Sequence, residues 1–197
     1  MISLSGKTYI TFPIALNVNT ENRVNGFHGV GSVVLNQNKL LVPKKAFFVS
    51  GVGRHEDALV SFELALRDAG IERFNLVPVS SIFPPQCEII DVEDGMRELH
   101  PGQIVFCVMA RETSNKEGKK IFASIGAAIP SDPALHGYLT EYHGEWNGED
   151  VGKKAEENAA YMLETAFGIK PAKTFNITKI AEVKEYTTVV AAAVFVF

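Results

Sequence analysis

Short β-rich runs alternate with two helical stretches along this chain. Residues 8–16 and 28–35 read as strands within an opening segment rich in Gly and Asn. Ala46-Phe47-Phe48-Val49-Ser50 reads as a strand ending in a tight turn at Gly51-Val52-Gly53. Leu59, Phe62, Leu66 and Ala69 then recur at helical spacing. Glu56 and Asp57 suit the positive end of that helix dipole, and Gly70 suits its C-terminal cap. Residues 73–79 read as a strand, and residues 103–111 and 121–129 as a hairpin around the polar loop from Thr113 to Lys120. Residues 137–143 predict a further strand. A second helix is predicted over 151–167, with Ala155, Ala159, Met162, Ala166 and Phe167 inward. Gly168 stops it and Pro171 prevents its return. Two strands end the chain, and Val189 to Phe197 is apolar enough to require burial. Many strands with two helices predict an α+β sandwich rather than regular βαβ winding, within a single domain over 1–197.

Composition narrows the function classes. With 46% hydrophobic and 21% charged residues the chain has the means to bury a sizeable core and is not a disordered sequence. A net charge of -4 with scattered Lys and Arg leaves no nucleic-acid footprint. The two cysteines, Cys87 and Cys107, lie in or beside apolar runs and do not suggest a disulfide framework, which suits a reducing compartment. No apolar stretch reaches membrane-spanning length, and Ile10 to Leu16 lacks the cleavage site of a signal peptide. The expectation is a soluble, cytoplasmic protein without a membrane partner, in which the sequon at Asn176 has no role.

Several motifs invite chemical readings. Gly29-Val30-Gly31 and Gly51-Val52-Gly53 hold Val34 and Glu56 where a dinucleotide fingerprint needs a third glycine, so a nucleotide site is not expected. His136 and His143 stand at a spacing that matches neither a helical pair nor a zinc motif, and no metal site is expected. On a strand, Leu139, Glu141 and His143 share one face. A Glu141 carboxyl held beside Leu on a half-buried face would keep its proton more readily, which suits a general acid. Glu63 follows Phe62 on the first predicted helix, as either a surface residue or an acidic anchor for a cationic substrate. The most informative element is Ser80-Ser81. An apolar run from Phe74 ends in two hydroxyls, and Pro84-Pro85 closes the corner. Such a bend can hold a serine hydroxyl against the preceding carbonyl carbon, the geometry a chain needs to cut itself.

Taken together these residues resemble the pyruvoyl-dependent arginine decarboxylases. The likeness rests on Asn75-Leu76, Val79-Ser80-Ser81-Ile82, Pro84-Pro85, Ala127-Ala128-Ile129-Pro130, Glu141-Tyr142 with Gly144, the helix end Asp68-Ala69-Gly70 and the tail Ala191-Ala192-Ala193. It runs from about Leu41 to the C-terminus and leaves out the first 40 residues. The resemblance implies an αββα four-layer sandwich and a precursor that cleaves itself into a β-subunit, residues 1–80, and an α-subunit, residues 81–197. Ser81 would become a pyruvoyl cofactor, with Asn75 assisting the cut. Turnover would pass through a Schiff base, with Glu141 as proton donor and Glu63 at the position where the arginine enzymes carry Asp. It further implies a homo-oligomer of cleaved protomers, a trimer or dimer of trimers, with active sites between subunits. L-arginine is the substrate so implied. Glu63, one methylene longer than Asp, leaves another basic amino acid open. An unprocessed, inactive relative with a structural or regulatory role and an unrelated ligand-binding domain are the competing readings.

Overall fold

The computed structural model describes residues 41–197, and the strands expected over 8–16 and 28–35 and the glycines at 29 and 31 lie outside them. Nine strands and three helices follow in the order β1 (Lys45–His55), α1 (Ala58–Asp68), β2 (Asn75–Pro78), β3 (Ile82–Phe83), β4 (Glu88–Ile89), α2 (Val92–Glu98), β5 (Ile104–Ser114), β6 (Lys120–Ile129), β7 (Gly137–Glu145), α3 (Val151–Phe167), β8 (Lys173–Glu182) and β9 (Tyr186–Val196) among the described residues. They form a five-stranded sheet in the order β2-β5-β9-β1-β4 and a four-stranded sheet in the order β3-β7-β6-β8.

The sheets pack face to face through a core that includes Val108, Ile121, Ile125, Leu139, Val189 and Phe195. Helix α1 covers the outer face of the larger sheet through a second core containing Phe47, Ala65, Ile71, Val190 and Val194. Helix α3 covers the smaller sheet through Ala128, Ala159 and Leu163. The result is the αββα sandwich that the resemblance implies. β9 is the central strand of the larger sheet and is buried at every position from Thr187 to Val196, as its apolar sequence demands.

Three expectations change. The segments around 103–111 and 121–129 are strands but not a hairpin. β5 pairs with β2 and β9, β6 pairs with β7 and β8, and the connecting loop carries the chain from one sheet to the other. Stacked sheets stand only about 10 Å apart, so a short loop suffices for either arrangement. Helix α2, absent from the sequence reading, is only seven residues long, with Met96 and the capping Leu99 turned to the core. Its Gly95 sits against the Phe47 ring, where a Cβ would collide. Gly51 and Gly53 form no tight turn. They lie inside β1, where a methyl at Gly53 would strike the Ser61 carbonyl and Ala65 amide of α1. The small residues Ser61 and Ala65 therefore face the sheet, while Leu59, expected in the stripe, is exposed.

Helix ends follow local chemistry more closely. Asp57 caps α1 by accepting from the Val60 N–H at 3.0 Å, and Gly70 follows its end at φ +76. Asp150 caps α3 by accepting from Lys153 N–H at 3.0 Å, and Gly168 ends it at φ +69. The buried stripe of α3 is Val151, Gly152, Ala155, Ala159 and Leu163. Leu163 takes the core place expected for Met162, and Ala166 faces solvent. Among the described residues no helix is long and apolar enough to cross a membrane.

Candidate active site

Ser80 and Ser81 lie between β2 and β3, at the seam of the two sheets. The ladder of the larger sheet continues one residue past β2, with Val79 N–H donating to the Cys107 carbonyl at 2.9 Å. β3 then enters the smaller sheet antiparallel to β7, with Ile82 opposite Tyr138. The Ser81 carbonyl accepts from Leu139 N–H at 2.9 Å. Two sheets thus hold the chain on either side of the Ser80–Ser81 peptide bond. Between these anchors the chain bends sharply, and Ile82 N–H donates to the Ser80 carbonyl at 2.9 Å. That bond spans only two residues and polarises the carbonyl that a self-cleaving chain must attack. It stands where negative charge would develop on the oxygen.

The side chains complete this geometry. Ser81 Oγ donates to Glu141 Oε2 at 2.6 Å. The Ser81–Leu139 backbone bond sets this pairing, because it carries Ser81 alongside the β7 segment on which Glu141 stands. Leu139 is buried, but Glu141 is exposed, so the half-buried setting expected for this carboxyl is not supplied by the single chain. Both residues line an open pocket of about 440 Å³, bordered by Tyr142 and by Asn158, Tyr161 and Met162 of α3. The sequence reading passed over Asn158. Its only signal is its spacing of three and four residues from Tyr161 and Met162, which puts the three on one face of the helix.

Asn75 and Glu63 are not brought to Ser81 within one chain. Asn75 opens β2 and Val79 follows its end, so at about 3.3 Å per residue the two stand roughly 13 Å apart. Asn75 donates instead to the Gly102 carbonyl at 2.7 Å. It lines a different pocket, of about 590 Å³, together with Phe62 and Leu66 of α1 and Arg111. Arg111 lies over the Phe62 ring at 4.4 Å from its centroid. Glu63 neighbours that wall on α1 and is held by Arg67 at 2.7 Å in an exposed ion pair.

The remaining candidates have other occupations. His143 Nδ1 meets Glu112 Oε2 at 2.8 Å, tying β7 to β5. His136 packs edge-on against Tyr138 and Phe167. Asn176 donates to Glu156 at 2.6 Å, inside a polar chain that joins α3 to β8. Burial pushes the Cys87 thiol up to about 12 and the Cys107 thiol up to about 11, so neither is a ready nucleophile. Among the described residues no group of three or more His, Cys, Asp or Glu could hold a metal ion.

With this geometry in view, comparison with known proteins is decisive. The model of the pyruvoyl-dependent arginine decarboxylase family matches residues 45–197. This chain belongs to that family. It is 72% identical over 156 residues to pyruvoyl-dependent arginine decarboxylase 1 of Archaeoglobus fulgidus, covering 79% of this chain and 99% of the relative. It is 64% identical to decarboxylase 2 of the same organism, over 79% of this chain and 98% of the relative. It is 52% identical to pyruvoyl-dependent arginine decarboxylase 1 of Methanosarcina acetivorans, over 79% of this chain and 97% of the relative. Family membership implies a pyruvoyl prosthetic group. The residues at the bend would fit it: a pyruvoyl group made from Ser81 would exchange the amine nitrogen for a ketone oxygen and lose the hydroxyl, and so would need no more room than the serine occupies.

Proposed function

We propose that this chain is a proenzyme that cuts itself between Ser80 and Ser81 and then decarboxylates L-arginine to agmatine and carbon dioxide. The observation that carries the reading is the Ser81 hydroxyl, bonded to Glu141 and adjacent to a Ser80 carbonyl already bound by an N–H donor. In the cut, Ser81 Oγ bonds to the Ser80 carbonyl carbon and the Ser80–Ser81 C–N bond breaks, leaving an ester and a free Ser81 amine. Loss of the Ser81 Cα proton expels the Ser80 carboxylate by breaking the Cβ–Oγ bond. The dehydroalanine so formed tautomerises to an imine, and water releases ammonia to leave a ketone. The Ile82 N–H supports the charged oxygen of the first step.

When formed, the pyruvoyl group supplies an electrophile for the substrate α-amine and a sink for the electrons of the breaking carbon–carbon bond. Glu141 returns a proton to the carbon that has lost carbon dioxide. Its hydrogen bond to Ser81 puts its carboxyl beside the atoms where that happens.

A second copy of the chain completes the site, within a trimer or a pair of trimers. Asn75 lies beyond reach of its own Ser80, and Glu63 lines no part of the Ser81 pocket, so both act across the interface on a neighbour. Apolar surface supports such an interface: Val77, Val79, Ile82 and Phe197 are exposed around the bend, and Ile104 is exposed beside Asn75 at the other end of β2. Glu63 then exchanges the guanidinium of Arg67 for that of the substrate. Two free thiols, Cys107 buried and Cys87 half-buried, suit a reducing cytoplasm. Intact mass of the purified protein, followed by an assay for agmatine from L-arginine, tests both halves of this reading.

A further inference from the structure

Asn158 sits at the middle of α3, and its side chain borders the pocket that holds Ser81 and Glu141. Among the described residues its carboxamide takes part in no hydrogen bond, whereas Asn176 is bonded to both Glu156 and Thr178. Tyr161 and Met162, one turn further along the helix, line the same pocket. The charged groups of α3 point elsewhere, and the pocket wall contains no lysine, arginine or histidine.

We infer that Asn158 is a positioning residue that holds the α-carboxylate of the substrate. The inference rests on the decarboxylase reading and extends it. An amino acid joined through its amine at position 81 must send its two remaining arms in different directions. The cationic arm goes to Glu63, which does not line this pocket. The carboxylate is left to the wall formed by α3, where the Asn158 amide is a neutral donor. Neutral donors suit a group about to leave as uncharged carbon dioxide. A cation would bind the charged ground state more strongly than the transition state, in which that charge is being withdrawn. The carboxamide orients the carboxylate without holding it back.

The test compares ligands with and without a carboxylate. Argininic acid, the 2-hydroxy analogue of arginine, carries the carboxylate but has no amine to condense. Agmatine has the same cationic arm and no carboxylate. Their dissociation constants are measured by calorimetry on processed wild-type protein and on Asn158→Asp, whose processing is checked by intact mass. Asn158→Asp replaces a donor with a like charge, so argininic acid should bind roughly tenfold to a hundredfold more weakly while agmatine changes less than about twofold. Asn158→Ser, a milder change with a donor retained, should fall between and provides the measurement if the Asp variant does not fold. Equal weakening of both ligands, or no weakening of argininic acid in either variant, overturns the inference. A wild-type enzyme that binds agmatine and makes none from arginine would overturn the decarboxylase reading instead, and this inference with it.

Discussion

Ser81 and Glu141 are 60 residues apart in sequence and joined by a 2.6 Å hydrogen bond. The contact follows from backbone pairing. Leu139 N–H is bonded to the Ser81 carbonyl, and Ile82 faces Tyr138 in the β3–β7 ladder. Each side chain is therefore placed by the strand register of a sandwich, and the pair needs no loop rearrangement to form.

From this pair follows the behaviour of Glu141→Gln. The amide keeps the shape and can still accept from Ser81 Oγ, but it cannot deliver the same proton. Self-cleavage should proceed, and turnover of arginine should fall by roughly 10²–10⁴-fold. Fragment yield on denaturing gels and agmatine release read the two steps separately. Near-normal decarboxylation would remove Glu141 from the role of proton donor.

On the proposed function, Glu63 sets the charge requirement. Glu63→Gln should raise the KM for arginine and leave the cut intact, and Glu63→Asp should be much milder. Citrulline matches arginine in shape but is uncharged, so it should not be converted, and neither should L-glutamate or L-leucine. Conversion of citrulline at the arginine rate would show that no carboxylate reads the far end of the substrate.

The separation of Asn75 from its own Ser80 makes a prediction about mixed oligomers. Asn75→Ala alone should cleave slowly, and Ser81→Ala alone should not cleave. Co-expressed, the Ser81→Ala chain supplies Asn75 to a neighbour that retains Ser81. Fragments of the Asn75→Ala chain should then appear faster than when it is expressed alone. An unchanged rate in verified mixed oligomers would place Asn75 on its own chain's reaction or outside the reaction altogether.

Gly53 tests the packing that carries the layer of α1. A methyl there meets the backbone of α1, which has no flexible end to move aside. Gly53→Ala should lower unfolding free energy by roughly 1–3 kcal/mol, measured by denaturant titration of the unprocessed Ser81→Ala protein. An unchanged midpoint would mean that α1 can shift away from β1.

Much of this was legible in the chain. The capping residues Asp57, Asp150 and Gly168 act locally, and the apolar run of β9 leaves it no place but the centre of a sheet. The resemblance singles out the serine pair, Asn75 and Glu141, and the structure brings two of these residues, Ser81 and Glu141, together. What could not be read was the space between them. Strand partners of β5 and β6 are chosen by burial on both faces, and the loop joining them carries no trace of that choice. Gly51 and Gly53 look like a turn because a glycine's reason for being in a strand is the helix above it. Asn75 and Ser80 have only four residues between them, but the extended strand β2 stretches that spacing close to the longest distance it can span. Asn158 became visible only when α3 was laid against the Ser81 pocket.

The central claim is that the peptide bond between Ser80 and Ser81 breaks by attack of the Ser81 hydroxyl. Intact-mass analysis of purified protein, beside Ser81→Ala, tests it most directly. The account predicts two fragments, residues 1–80 and residues 81–197, with the second carrying a ketone in place of its N-terminal amine and resisting N-terminal sequencing. It predicts a single uncut chain for Ser81→Ala. A wild-type protein that stays at full length while converting arginine, or a Ser81→Ala protein that still splits at this bond, would contradict it.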